Sequence, residues 1–154
     1  MEALAPAGAA GARVEPDFQS GSLILKGPQG DVTLIWSEAS AGAPCAVSAG
    51  EYRLQTTRVE RMQEETHWFL SSTGAPGNPI GLKAGKTTRI AAGAAVHFKG
   101  SAKRHGAELQ LRFSIQGADG RGLSVYRDDR RVPVLFKVLG AKGVLLAEGS
   151  MNYG

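Results

Sequence analysis

The chain has a single cysteine, Cys45, in 154 residues, so no internal disulfide can staple it and its stability has to come from a packed core. Long apolar runs are missing as well. None approaches the ~20 residues a helix needs to cross a bilayer, which excludes helical membrane insertion. Aromatic residues make up only 6% of the chain, leaving few side chains from which to build a stacking platform or a protein anchor. Neither sign of charge dominates: 18 Lys and Arg against 14 Asp and Glu leave a formal net charge of +4. Solubility alone accounts for that excess, and it is not the footprint of a specific nucleic-acid binder.

The local signatures of catalysis and metal binding are absent too. His67, His97 and His105 stand at no spacing, such as HxH or HExxH, that would place two ligands on one surface. Gly-x-Ser-x-Gly and the P-loop pattern are missing, and "GADGRGL" (117–123) lacks the strand-to-helix context of a dinucleotide loop. Cys45 or Ser71 would need a base and an orienting acid that nothing nearby supplies. Glu64 and Glu65 are adjacent in sequence and do not face each other across a cleft, as glycoside hydrolysis requires. Asp128 and Asp129 are flanked by Arg127, Arg130 and Arg131, whose charge opposes cation binding, so a solvated turn is the reading for that stretch. These absences predict no catalytic residue, no cofactor and no metal.

Glycine is plentiful, at 21 residues, and with 7 prolines it implies many tight turns and short strands. The length suits one core. "SLILK" and "DVTLIW", joined by "GPQG", predict a hairpin. In "GEYRLQTTRVERMQEETHWFLSST" (50–73), Tyr52 and Leu54 alternate with Arg53 and Gln55. Only Val59 and Met62 would serve a competing helix, which gives fewer than the turns a stable helix needs. The stretch is therefore predicted to fold back on itself with Gln63–Glu65 at the tip. "AELQLRFSIQ" alternates most strictly, so Leu109, Leu111, Phe113 and Ile115 are expected to share a buried face. Trp36 and Trp68 lie in phase with Leu34 and Leu70, which assigns both indoles to the core. Shorter strands at "KTTRI", "AVHFKGS", "LSVY" and within "VPVLFKVLGAKGVLLAEG" bring the total to roughly nine to eleven, with turn signals every 8 to 12 residues or so.

The expected fold class is all-β: an antiparallel β-sandwich over residues 21–154 as a single domain, preceded by a flexible Ala/Gly/Pro-rich tail over residues 1–20. That tail lacks the charged and apolar regions of an intact signal peptide, yet its composition suits the start of an exported chain whose leader has been replaced by an initiating methionine. The expected location is extracytoplasmic, periplasmic or secreted.

"SAGEYRL" (48–54) is echoed by "KAGKTTRI" (83–90): Ala-Gly, a charged residue, then an alternating strand. The Gly-x-Tyr-x-Leu strand "GEYRL" after a small-residue turn resembles carboxypeptidase regulatory-like and transthyretin-like β-sandwich modules over residues 30–90. An Ig-like sandwich shares the same features. The resemblance implies a non-catalytic accessory or adhesion-type domain of exported proteins, with no catalytic residues to carry over.

Two basic connections remain as candidates for binding. Lys99, Lys103, Arg104 and His105 cluster in one, and Arg127, Arg130 and Arg131 in the other. Tyr126 falls out of phase with Leu123 and Val125 and is expected to be exposed beside the second. The two can share an end of the sandwich if strands 107–116 and 122–126 form a full hairpin. The function expected from these features is a non-enzymatic binding or structural module contacting a protein or an acidic surface polymer. An accessory subunit of a larger assembly is one alternative. A small hydrolase is the other, and would need a histidine beside Cys45 or a serine.

Overall fold

Two-residue alternation turns out to govern nearly the whole chain. The computed structural model describes residues 11–73, 75, 77–92 and 95–152, and among them fourteen strands and one short 3-10 turn, Glu38–Ser40. The fold is nearly all β, with antiparallel sheets in a sandwich-like arrangement.

The first layer is small. β1 (Gly11–Pro16) is the middle strand of a three-stranded sheet, flanked by β4 (Cys45–Ser48) and β8 (Thr87–Ile90). β1 runs antiparallel to β4 and parallel to β8. The expected tail is thus corrected over residues 11–20: Ala12 and Val14 are fully buried and Phe18 nearly so. "GARVEP" alternates Ala12, Val14 and Pro16 against Arg13 and Glu15, a rhythm masked by the Ala/Gly/Pro composition around it. Residues 1–10 lie outside the described residues.

The second layer is a nine-stranded sheet. Its path runs β3 (Gly30–Trp36), β2 (Gly21–Gly27), β5 (Gly50–Gln63), β6 (Thr66–Thr73), β11 (Gly122–Arg127), β10 (Glu108–Gln116) and β9 (His97–His105). β7 (Pro79–Leu82) pairs β5 off that path, and β12 (Arg130–Arg131) pairs β11. The GPQG hairpin forms with Gly27 opposite Gly30. The hairpin from 50 to 73 forms as well, with Gln63 opposite Thr66 and Glu64 in the left-handed region at φ 56°. A remaining hairpin, β13 (Val134–Leu139) with β14 (Leu145–Met151), makes a separate two-stranded sheet.

The main core lies where the small sheet covers β2, β3, β5 and β7. There Ala12, Val14, Val47 and Ile90 meet Leu23, Leu25, Leu34, Trp36, Tyr52, Leu54 and Leu82. Trp36 is 2% exposed, donates Nε1–H to the Ala43 carbonyl at 2.7 Å and takes the Phe18 ring edge-on at 5.7 Å. Buried indoles need that partner, because an orphaned N–H costs on the order of 1–3 kcal/mol. Tyr52 reaches the Ser48 carbonyl at 3.0 Å, and a Cβ at Gly27 would collide with its ring, so glycine is required there.

Two expectations fail at the other end of the large sheet. Trp68 is half-buried, its ring facing Arg127 with the guanidinium carbon 5.6 Å from the centroid. The face of β10 is graded: Ile115 is 4% exposed, Phe113 and Leu111 are half-buried, and Leu109 is 47% exposed. Strict alternation marks a strand with two unlike faces, but it does not supply the layer that covers one of them. Ile115 and Leu123 pack with Val96, Val125 and Val134 at the base of β10.

Candidate partner-binding surface

β9 and β10 pair over nine consecutive positions, from His97↔Gln116 to His105↔Glu108. β10 meets β11 only at Gln116↔Gly122. Beyond that point the two part, because β12 takes the edge of β11 with Arg131 opposite Tyr126 and the Val132 N–H donating to the Val125 carbonyl. The β9–β10 pair is therefore an arm, and every residue of β9 is exposed.

Register sorts the arm into two faces. Lys99, Ser101, Lys103 and His105 share one with Ser114, Arg112, Gln110 and Glu108. Phe98, Gly100 and Ala102 share the other with Ile115, Phe113 and Leu111. Phe98 is 68% exposed, its ring centroid 6.1 Å from that of Phe113. Arg104 belongs by register to the apolar side, opposite Leu109, and its Nε–H donates to the Gly106 carbonyl at 2.8 Å.

The second basic connection is built differently. Asp128 and Asp129 both have positive φ and close a two-residue turn between Arg127 and Arg130. The Asp128 carboxylate accepts the His67 N–H at 3.0 Å and lies 3.9 Å from Arg127 Nε. Tyr126, expected to stand free, is half-buried and stacks on Phe69 at 4.6 Å and 7°. The Arg58 guanidinium covers the same Phe69 ring at 3.8 Å. Arg58 Nε is 2.6 Å from Glu60 Oε1 with its N–H turned off the carboxylate, an ion pair more than a hydrogen bond. Arg131 donates to Ser124 Oγ at 3.1 Å, while Arg130 is exposed. The hairpin that was to unite the two basic connections does not run the length of its strands, and the first of them is no connection: Lys99, Lys103, Arg104 and His105 lie along β9 itself, paired to β10.

A functional-looking residue that sequence reasoning missed is Arg121. Its side chain is 9% exposed and donates to the carbonyls of Leu54 and Gln55 and to Thr57 Oγ1, while pairing with Asp119 at 2.6 Å. It fills a gap in β5, which pairs with β7 up to Arg53 and with β6 only from Arg58. The role is a structural clamp.

Cys45 is half-buried beside the main core, and burial pushes its thiol pKa up, away from the nucleophilic thiolate. Among the described residues no three His, Cys, Asp or Glu side chains converge as a metal site would require. His67 lies 3.5 Å from Glu60, and His97 and His105 stand at opposite ends of β9. Among the described residues no helix is long and apolar enough to cross a membrane. Comparison with protein-family models, with curated proteins and with solved structures finds no match for this chain.

Proposed function

We propose that the chain is a non-enzymatic binding module of an exported protein, of the transthyretin-like or Ig-like sandwich kind, which holds an acidic protein or surface polymer on the β9–β10 arm. The observation that carries the reading is β9 itself: nine consecutive exposed residues, with Lys99, Lys103 and His105 on one face beside Arg112. Cationic side chains presented on a paired, extended backbone draw an anionic partner by a field that salt weakens. Burial raises the pKa of Cys45, which counts against that thiol as a nucleophile.

Retention on immobilised heparin and on an acidic polysaccharide, at low and at physiological salt, tests it. Retention should fall with salt and fall further in Lys99→Ala and Lys103→Ala. Arg131→Ala should change it little, because Arg131 is engaged with Ser124. Retention indifferent to the arm substitutions overturns the assignment. The accessory-subunit reading draws on β13–β14, where Leu135 and Leu146 are 79% and 65% exposed. Light scattering of the chain in extract against the isolated chain tests that reading: a larger particle in extract supports it, and equal sizes overturn it.

A further inference from the structure

The arm is amphipathic, and among the described residues its outer strand β9 has no neighbour on the side away from β10; that combination specifies more than attraction to negative charge. β9 ends the nine-stranded sheet, so alternate N–H and C=O groups along it point outward as a template for another strand. On one side of that edge stand Lys99, Ser101 and Lys103. On the other, Gly100 and Ala102 are too small to screen Phe113 and Leu111 behind them, and an open groove of ≈ 990 Å³ runs past Phe98, Gly100, Leu111, Phe113 and Met151, bordered also by Lys99, Ser101, Arg112 and Ser114.

We infer, resting on the binding-module reading, that β9 accepts an added strand from a protein partner in which acidic residues alternate with apolar ones. Acidic side chains of that strand reach Lys99 and Lys103, which four strand residues separate by about 13 Å, so acids at i and i+4 meet both. The intervening apolar side chains pass over Gly100 and Ala102 onto Phe113 and Leu111. An anionic polysaccharide would engage only the lysine face and leave the apolar side wet. A second copy is disfavoured by charge, because β9 against β9 sets Lys99, Lys103 and Arg104 against the same residues. The opposite edge of the sheet, β3, offers no such site: Leu34 and Trp36 on its inner face are already buried in the core.

The test uses the whole chain and synthetic peptides, read by fluorescence anisotropy. A ten-residue peptide alternating Glu and Val should bind, and a peptide of the same composition with the Glu and Val residues in separate blocks should bind at least about tenfold more weakly. Two further versions, N-methylated on the odd or on the even residues, distinguish strand pairing from simple charge. One of them should lose binding and the other should keep it, because only one edge of the peptide faces β9. Lys99→Glu/Lys103→Glu, at exposed positions, should weaken the Glu/Val peptide by about tenfold and favour a Lys/Val peptide instead. Equal binding of alternating and block peptides, or indifference to both methylation patterns, overturns strand addition. If heparin is still retained in that case, the binding-module reading stands; if neither ligand binds, both fall. Concentration-dependent dimerisation of the chain that the peptide cannot suppress overturns the inference in favour of a second copy.

Discussion

Arg121→Ala removes a side chain that ties together stretches of chain 64 to 67 residues apart. The guanidinium stands where a strand is missing beside β5. Nη1 donates to the Leu54 carbonyl at 3.1 Å and the Gln55 carbonyl at 2.9 Å, and Nη2 to Thr57 Oγ1 at 2.9 Å. Leu54 keeps a second donor, the Gly77 N–H at 2.9 Å. Thr57, 1% exposed, loses its charged donor where water does not readily replace it, whereas the exposed Gln55 carbonyl can rehydrate. Asp119, at 25% side-chain exposure, can rehydrate. One buried acceptor stripped of a charged donor at ~1.5 kcal/mol, with a smaller loss at Gln55 and Asp119, comes to about 2 kcal/mol. In urea, with a slope of about 2 kcal/mol/M, the midpoint should fall by about 1 M at an unchanged slope. Arg121→Lys keeps the charge, but its single ammonium cannot span three acceptors and the carboxylate at once, and it should recover less than about half of the loss. A loss in Arg121→Ala below about 1 kcal/mol, or a lysine variant as stable as the parent, would refute the clamp.

Three further substitutions probe the rest of the sheet. Along β10 the cost of truncation to Ala should follow burial, about 3 kcal/mol at Ile115, about 1.5 at half-buried Phe113 and under about 1 at Leu109, as read from denaturation midpoints; equal costs at all three would mean that the arm is covered along its length. Glu64→Gly should raise stability by about 0.5 kcal/mol, because the left-handed φ of 56° strains a residue with a Cβ more than it costs glycine in chain entropy, and a two-glycine insertion after Glu64 should cost about 0.6 kcal/mol by loop entropy. Phe69→Ala should cost about 3–4 kcal/mol, since the ring is 7% exposed between Tyr126 and Arg58. Tyr126→Ala should cost about 1 kcal/mol, and a reversed order would show that Tyr126 is the buried partner.

What local sequence could reveal, it revealed where the determining partner is close in the chain. The hairpin from 50 to 73 was readable because Gln63 and Thr66 are three residues apart and the helical alternative lacked an apolar stripe. β1 was not: its partners, β4 and β8, lie about 33 and 74 residues away by register, and the parallel pairing with β8 follows from no local pattern. Arg121 finds its acceptors 64 to 67 residues upstream, so "GADGRGL" could show only a turn. Tyr126 was correctly placed off the phase of Leu123 and Val125, yet that phase cannot show that Phe69 on the neighbouring strand supplies a second apolar surface on the outer face. Lys99 and Lys103 were legible as exposed cations, whereas the openness of the apolar side behind them depends on where β10 leaves β11.

The lysines of β9 bear on one more physical question, because charge on an edge strand is also the ordinary device that stops sheets from joining edge to edge. Protection accounts for Lys99 and Lys103 and for their repulsion of a second copy. It does not account for Gly100 and Ala102. A strand shaped only to be inert would carry residues large enough to shield Phe113 and Leu111, since half-buried phenyl and isobutyl groups beside an edge strand invite the association that the charges oppose. Small residues on one face and cations on the other instead make entry conditional: an apolar strand without acids meets desolvated ammonium groups, an acidic strand without apolar residues leaves the groove wet, and a strand carrying both in alternation satisfies both faces. If β9 accepts the strand proposed for it, the side chains that oppose pairing of two arms would also select what joins them.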